Sequence, residues 1–223
     1  MVKLFIIFSL LIITLSTSLC TRDARKQSDL TNPKKSGDTL IGGGCEGCEA
    51  VYESTVPHEK LSSTDTLPGF LETGTKLFIS GIIYNADEVT PAKDVVMYVY
   101  HTDQKGYYTP GKNAAGWEKR HGYMRGWLKT NENGEYAFYT IRPAPYPNAT
   151  FPAHIHPTIK EPGKNEYYID DFVFSDDPFV DDNYRKNEPK RGGSGILTLA
   201  KGDGEIMYGK RNIILGKNIP NYR

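Results

Sequence analysis

Residues 94–102 read DVVMYVYHT, and the question they settle is whether this chain is built from strands. Every position from Val95 to Tyr100 is β-branched, aromatic or Met, and Val95, Met97 and Val99 alternate with Val96, Tyr98 and Tyr100. A period of two on such residues is the signature of a buried strand. Upstream, KLFISGIIYN (76–85) has the same character. Downstream, TNENGEYAFYTIR (130–142) sets a turn-forming Asn133-Gly134 before another alternating run,. AHIH (153–156), EYYIDDFVFSD (166–176), GILTLAKG (195–202) and EIMYGKRNIIL (205–215) follow, with room only for loops between them. No stretch of twelve or more residues carries a helical stripe. The expected fold is therefore an all-β sandwich of two mainly antiparallel sheets with long loops, which the 22 glycines and 14 prolines suit,.

Near its start the chain of 223 residues carries Lys3, then an apolar run from Leu4 to Leu15 and small polar residues at 16–18. That order predicts a secretory signal peptide over 1–20, the run being short for a membrane span, with an uncleaved anchor as the alternative. A polar stretch of mixed charge closing in GGG predicts a flexible tail over 21–44, which leaves 45–223 as one domain,. Secretion to the extracellular space is the expectation. The 27 acidic and 27 basic residues balance, so no electrostatic footprint points to nucleic acid or to a membrane surface as partner. With Cys20 at the cleavage region, Cys45 and Cys48 form the mature pair, read as a local disulfide; a redox dithiol or half a zinc site are the other readings of C-x-x-C. Asn148 opens the sequon NAT,.

Residues 143–156, PAPYPNATFPAHIH, hold four prolines, Tyr146 and two histidines. Proline fixes its own φ and extends the residue before it, so the path is stiff and non-helical. On a strand, His154 and His156 point to one face and Ile155 to the other, which suits two ligands on one metal as well as two unrelated histidines. Tyr146 stands between Pro145 and Pro147 as a candidate third ligand. A phenol ligates as phenolate, and ferric iron is the cation that favours it most.

The string NGEYAFYTIRPAPYPNATFPAHIH resembles the intradiol ring-cleavage dioxygenases, ferric enzymes that open catechol and protocatechuate rings between the two hydroxyls. The resemblance runs from about Lys76 to Asp182. It implies Fe(III) held by Tyr108, Tyr146, His154 and His156, with Tyr108 taken from VYHTDQKGYYTP and Tyr107 as the neighbouring alternative. It further implies small catecholic phenols and O2 as the partners, cis,cis-muconic acid-type products, and Tyr146 as the ligand that leaves the metal and takes a substrate proton. Relatives dimerise through an added N-terminal helical segment; none is visible in 1–44, so a monomer is expected.

Two positions depart from the family. Before PAHIH the family carries an arginine near the bound ring, and this chain has Phe151; Arg125, Arg142 or Lys160 are the candidate replacements. Fifteen residues after His156, where members carry a glutamine facing the oxygen pocket, stands Asp171. It is expected to take part in turnover as a protonated donor or as a base. A catalytically impaired protein that binds iron and phenolics is the second reading, and a zinc hydrolase using the two histidines a third.

Overall fold

The computed structural model describes residues 40–202 and 204–223. The expected signal peptide and residues 21–39 of the expected tail lie outside them. Twelve strands follow in order: β1 (Thr64–Thr66), β2 (Lys76–Tyr84), β3 (Val96–His101), β4 (Arg125–Lys129), β5 (Glu135–Ile141) and β6 (His154–Lys160). The remainder are β7 (Tyr167–Tyr168), β8 (Phe172–Phe174), β9 (Ile196–Leu197), β10 (Ala200–Lys201), β11 (Ile206–Lys210) and β12 (Ile213–Ile214). Among the described residues the two α-helices, α1 (Glu118–His121) and α2 (Asp182–Asn187), are short, as the lack of a helical stripe predicts.

The strands form two six-stranded sheets. One has the order β1-β5-β2-β11-β10 with β12 also on β2; the other has β4-β3-β6-β8-β9 with β7 also on β6. The all-β sandwich is thus observed, and antiparallel pairs predominate, but β1·β5, β2·β11, β2·β12 and β8·β9 are parallel. Between the sheets lies one apolar core that includes Leu77, Ile79, Met97, Val99, Phe138, Ile155, Ile159 and Phe172. Burial of such side chains contributes about 1.5–3 kcal/mol each. The alternation in DVVMYVYHT has a structural meaning on both faces. Met97 and Val99 enter this core, while Val96 and Tyr98 meet Ala50 and Val51 of a 3-10 segment, Cys48–Glu53, lying on the outer face of the sheet. Cys45 and Cys48 are disulfide-bonded beside it, Cα atoms 5.7 Å apart.

The end of the expected flexible tail is corrected. Residues 40–44 are docked, because Ile41 packs on the core and exchanges hydrogen bonds with the Asn165 side chain at 3.2 Å, and the Gly42 amide donates to the Pro220 carbonyl. Two apolar residues, Leu40 and Ile41, between a polar stretch and three glycines give little pattern to read. Among the described residues no helix is long and apolar enough to cross a membrane.

Candidate metal centre

The centre is built on the outer face of the second sheet. Strand β6 runs antiparallel between β3 and β8, with Tyr100 opposite His156 and Ile155 opposite Phe172. The period of two then separates functions: Ile155 and Phe172 are buried in the core, while His154 and His156 project outward together, their Nε2 atoms 3.0 Å apart,. The same register brings Asp171, the residue before β8, beside His156.

Two loops supply the phenols. Tyr108 follows β3 in a loop clasped by Asp103, whose carboxylate accepts from the Lys105 and Tyr107 amides at 2.8 and 3.1 Å and from the Thr109 hydroxyl at 2.6 Å. Partial burial opposes that charge, but these bonds hold the carboxyl below its ordinary pKa. Tyr146 lies in the proline-rich segment between β5 and β6. Gly106 lets the loops meet: its φ is +81°, and a Cβ there would lie 2.2 Å from the Pro145 carbonyl oxygen,.

The phenol oxygens of Tyr108 and Tyr146 are 2.5 Å apart. Tyr108 Oη is 2.8 Å from His156 Nε2, and Tyr146 Oη is 3.0 Å from His154 Nε2. All four expected ligands therefore converge, whereas Tyr107 is exposed at 58% and stays outside. The donor chemistry fits a cation. His154 Nδ1 lies 2.7 Å from the Pro152 carbonyl and His156 Nδ1 lies 2.9 Å from Asp171 Oδ1, both acceptors, so each Nδ1 carries the proton and each Nε2 turns a lone pair to the common point,. Burial, then His156, lowers the His154 pKa and keeps it neutral. Burial, then the partner phenol, pushes Tyr108 well above the usual tyrosine range, and burial raises Tyr146. Ionising both phenols requires a strongly Lewis-acidic ion. Donor separations near 3 Å are those of atoms sharing one metal at bond lengths of roughly 2 Å.

Asp171 calls for a correction. Its carboxylate joins His154 and His156 in a group whose atoms all lie within 4.8 Å, yet it sits on the Nδ1 side of His156, away from the four-atom cluster. Burial disfavours its charge, but His156 foremost, then His154 and Arg211, hold its pKa below the ordinary value. The expected protonated donor is not what this geometry makes: Asp171 is an ionised acceptor that orients His156. For the same reason the acid that a zinc hydrolase would need is turned away from the cluster.

Beside the cluster opens a cavity of about 600 Å³, lined among others by Tyr100, Phe151, His156, Asp171, Tyr184 and the Cys45–Cys48 disulfide. Among the described residues no lysine or arginine lines it. The three candidate replacements for the family arginine are engaged elsewhere: Arg125 with Glu53 at 2.7 Å, Arg142 with Asp176 at 2.8 Å, Lys160 with the Glu161 carbonyl at 2.6 Å. Phe151 packs edge-on against His154, centroids 5.3 Å apart. Asn148 is exposed and is not among the lining residues.

Sequence reading missed Tyr100 and Arg211. Tyr100 becomes visible once β3 is paired with β6, since it shares the outward face with His156. Arg211 is buried, donates to the Asp170 carbonyl at 2.7 Å and lies over the Phe172 ring, bracing the approach to β8; nothing local in KRNII marks it.

A strand-borne histidine pair and two loop-borne phenols thus meet at one point on a β-sandwich. A family model described as "Dioxygenase" matches residues 49–194, and the chain belongs to the intradiol dioxygenases. Solved structures agree on the fold. The dioxygenase domain of a dioxygenase–carbohydrate-binding fusion from Streptomyces sp. SirexAA-E is 19% identical, with a TM-score of 0.51 over 73% of this chain and 94% of that one. Catechol 1,2-dioxygenase from Acinetobacter sp. ADP1, with bound mercury, is 19% identical, with a TM-score of 0.53 over 73% of this chain. That of Acinetobacter radioresistens is 16% identical, with a TM-score of 0.52 over 69% of this chain. The match spans 60% and 56% of the length of these two catechol dioxygenases.

Proposed function

We propose that this protein is a non-haem Fe(III) intradiol dioxygenase that opens catecholic rings with O2 to cis,cis-muconic acid-type products, and that it acts as a secreted monomer. The observation that carries the reading is the convergence of two phenol oxygens and two imidazole Nε2 atoms, each within 3.0 Å of at least two of the others. Tyr108, Tyr146, His154 and His156 would hold a ferric ion, which would supply the Lewis acidity that makes a bound catecholate ring reactive toward O2. The rest falls to the chain. Asp171 fixes the His156 ring through Nδ1, and Pro152 fixes His154 in the same way. Tyr146, half-buried on its proline-bounded loop, would serve as the phenolate whose Oη takes a proton from an incoming catechol hydroxyl and becomes a neutral phenol. The apolar run near residue 4 and the disulfide support export to an oxidising compartment,.

With Phe151 in the wall and no cationic side chain in the lining, neutral catechols, including those with alkyl or larger aromatic extensions, should be preferred over carboxylated ones. Oxygen uptake tests both statements: catechol should be turned over with kcat/KM at least about tenfold above that for protocatechuate. A reversed preference would show that a cation reaches the ring after all. The missing arginine also favours a second reading, a protein that binds iron and phenols without turnover. An iron-loaded protein that binds catechol but consumes no oxygen would establish it.

A further inference from the structure

Tyr100 stands directly opposite His156 in the β3·β6 pairing and lines the cavity beside the metal ligands. Both faces of its ring are covered. His156 stacks on one, with centroids 4.6 Å apart and planes 25° apart; His121 stacks on the other at 3.8 Å and 7°. His121 is itself held by the Tyr98 hydroxyl at 2.9 Å from its Nδ1 and is flanked by Trp117 at 5.1 Å. A ring clamped on both faces offers the cavity its edge and its hydroxyl, and in a fixed direction.

That hydroxyl has no hydrogen-bond partner among the described residues, though Tyr98, Tyr108, Tyr136, Tyr146 and Tyr167 all have one. Nor is it among the side-chain atoms sealed from solvent without a partner, a condition that falls on Arg211 Nε. It is therefore open to solvent, on a residue that lines the cavity. The cavity beside the metal ligands thus lacks a cationic donor but has a rigid neutral one.

We propose that Tyr100 is a substrate-contacting residue whose hydroxyl donates a hydrogen bond to a catechol bound at the metal centre, a role that rests on the ring-cleavage reading above. Tyr184 and Tyr168 also line the cavity, but neither ring stacks on a member of the four-donor cluster. Tyr100→Phe separates the hydroxyl from the stack, because phenylalanine keeps the ring between His156 and His121.

The experiment is an anaerobic titration of iron-loaded protein with catechol, followed by the change in visible absorption, with iron content measured on the same samples. Tyr100→Phe should keep the parent's iron content and resting spectrum while raising the Kd for catechol about 10- to 100-fold, the range for one hydrogen bond to a charged oxygen. A variant that binds catechol within twofold of the parent overturns the assignment. So does a variant that loses iron or shifts its resting spectrum while the loaded fraction binds catechol normally, since Tyr100 would then only support His156. A parent that loads iron but does not respond to catechol overturns the ring-cleavage reading and this role with it.

Discussion

The two halves of the metal centre are held by different physics. His154 and His156 sit on β6, in the middle of a sheet, with neighbours on both sides and Ile155 locked in the core between them. Tyr108 and Tyr146 sit on loops, placed by the Asp103 clasp, by prolines and by a glycine against the Pro145 carbonyl. Strand register fixes the histidines whether or not a metal is present. The phenols, raised in pKa and hydrogen-bonded to each other and to the imidazoles, depend on what occupies the point between them. A rigid nitrogen pair and an adjustable oxygen pair suit a centre that must hold its metal while one ligand leaves.

If this contrast is right, perturbing the sheet should cost more than perturbing the loops. The largest effect concerns His101 at the end of β3, fully buried and bonded to the Thr102 carbonyl at 2.7 Å and Thr140 Oγ1 at 2.6 Å. Burial lowers its pKa to about 4 from 6.5. A histidine depressed in the folded state leaves stability whole above the unfolded value, and stability is lost as pH falls from 6.5 toward 4. About 3 kcal/mol should disappear across that window. Denaturant unfolding of metal-free protein at pH 7 and pH 4 measures it, and His101→Gln should flatten the slope; an equally steep slope in the variant would place the loss elsewhere.

Next comes Asp171. Removing the acceptor of His156 Nδ1–H should weaken metal affinity about 10- to 100-fold, roughly 1.4–2.7 kcal/mol. Asp171→Asn, which keeps an acceptor oxygen, should weaken it less. Competition with a chelator reads both variants, and unchanged affinity in Asp171→Ala would remove the residue from the histidine half.

The smallest stability effect should fall on the loops. Gly106→Ala puts a Cβ against the Pro145 carbonyl at a positive φ, a strain confined to the loops, so somewhat more than about 1 kcal/mol of global stability is expected to be lost. The phenols should nonetheless be displaced, seen as a shift of the iron-loaded visible band with little change in melting temperature. A large fall in melting temperature with an unmoved band would reverse the assignment of rigidity between the halves.

This division also explains what could be read in advance. The strand halves of the site were legible because alternation is sequence-local: DVVMYVYHT and AHIH declare their faces. Tyr146 was legible through the prolines on both sides of it. The strand β4, RGWLK, was missed because its outward Arg125 and Trp127 cover the short apolar pattern of Gly126 and Leu128. The partnership of Asp171 with His156 was invisible because it depends on the register of β6 against β8, two strands separated by a loop and β7. The absence of a cation from the cavity was half legible: Phe151 showed the loss, but only three-dimensional pairing shows Arg125, Arg142 and Lys160 bound to other partners.

In the function proposed above, four atoms share one ferric ion, two of them phenolate. The visible spectrum of iron-loaded protein, parent against Tyr108→Phe, tests that most directly. The parent should be burgundy from phenolate-to-iron charge transfer, and the variant should lose or shift the band along with part of its iron. A colourless parent that still turns over catechol, or an unchanged band in Tyr108→Phe, would contradict the assignment.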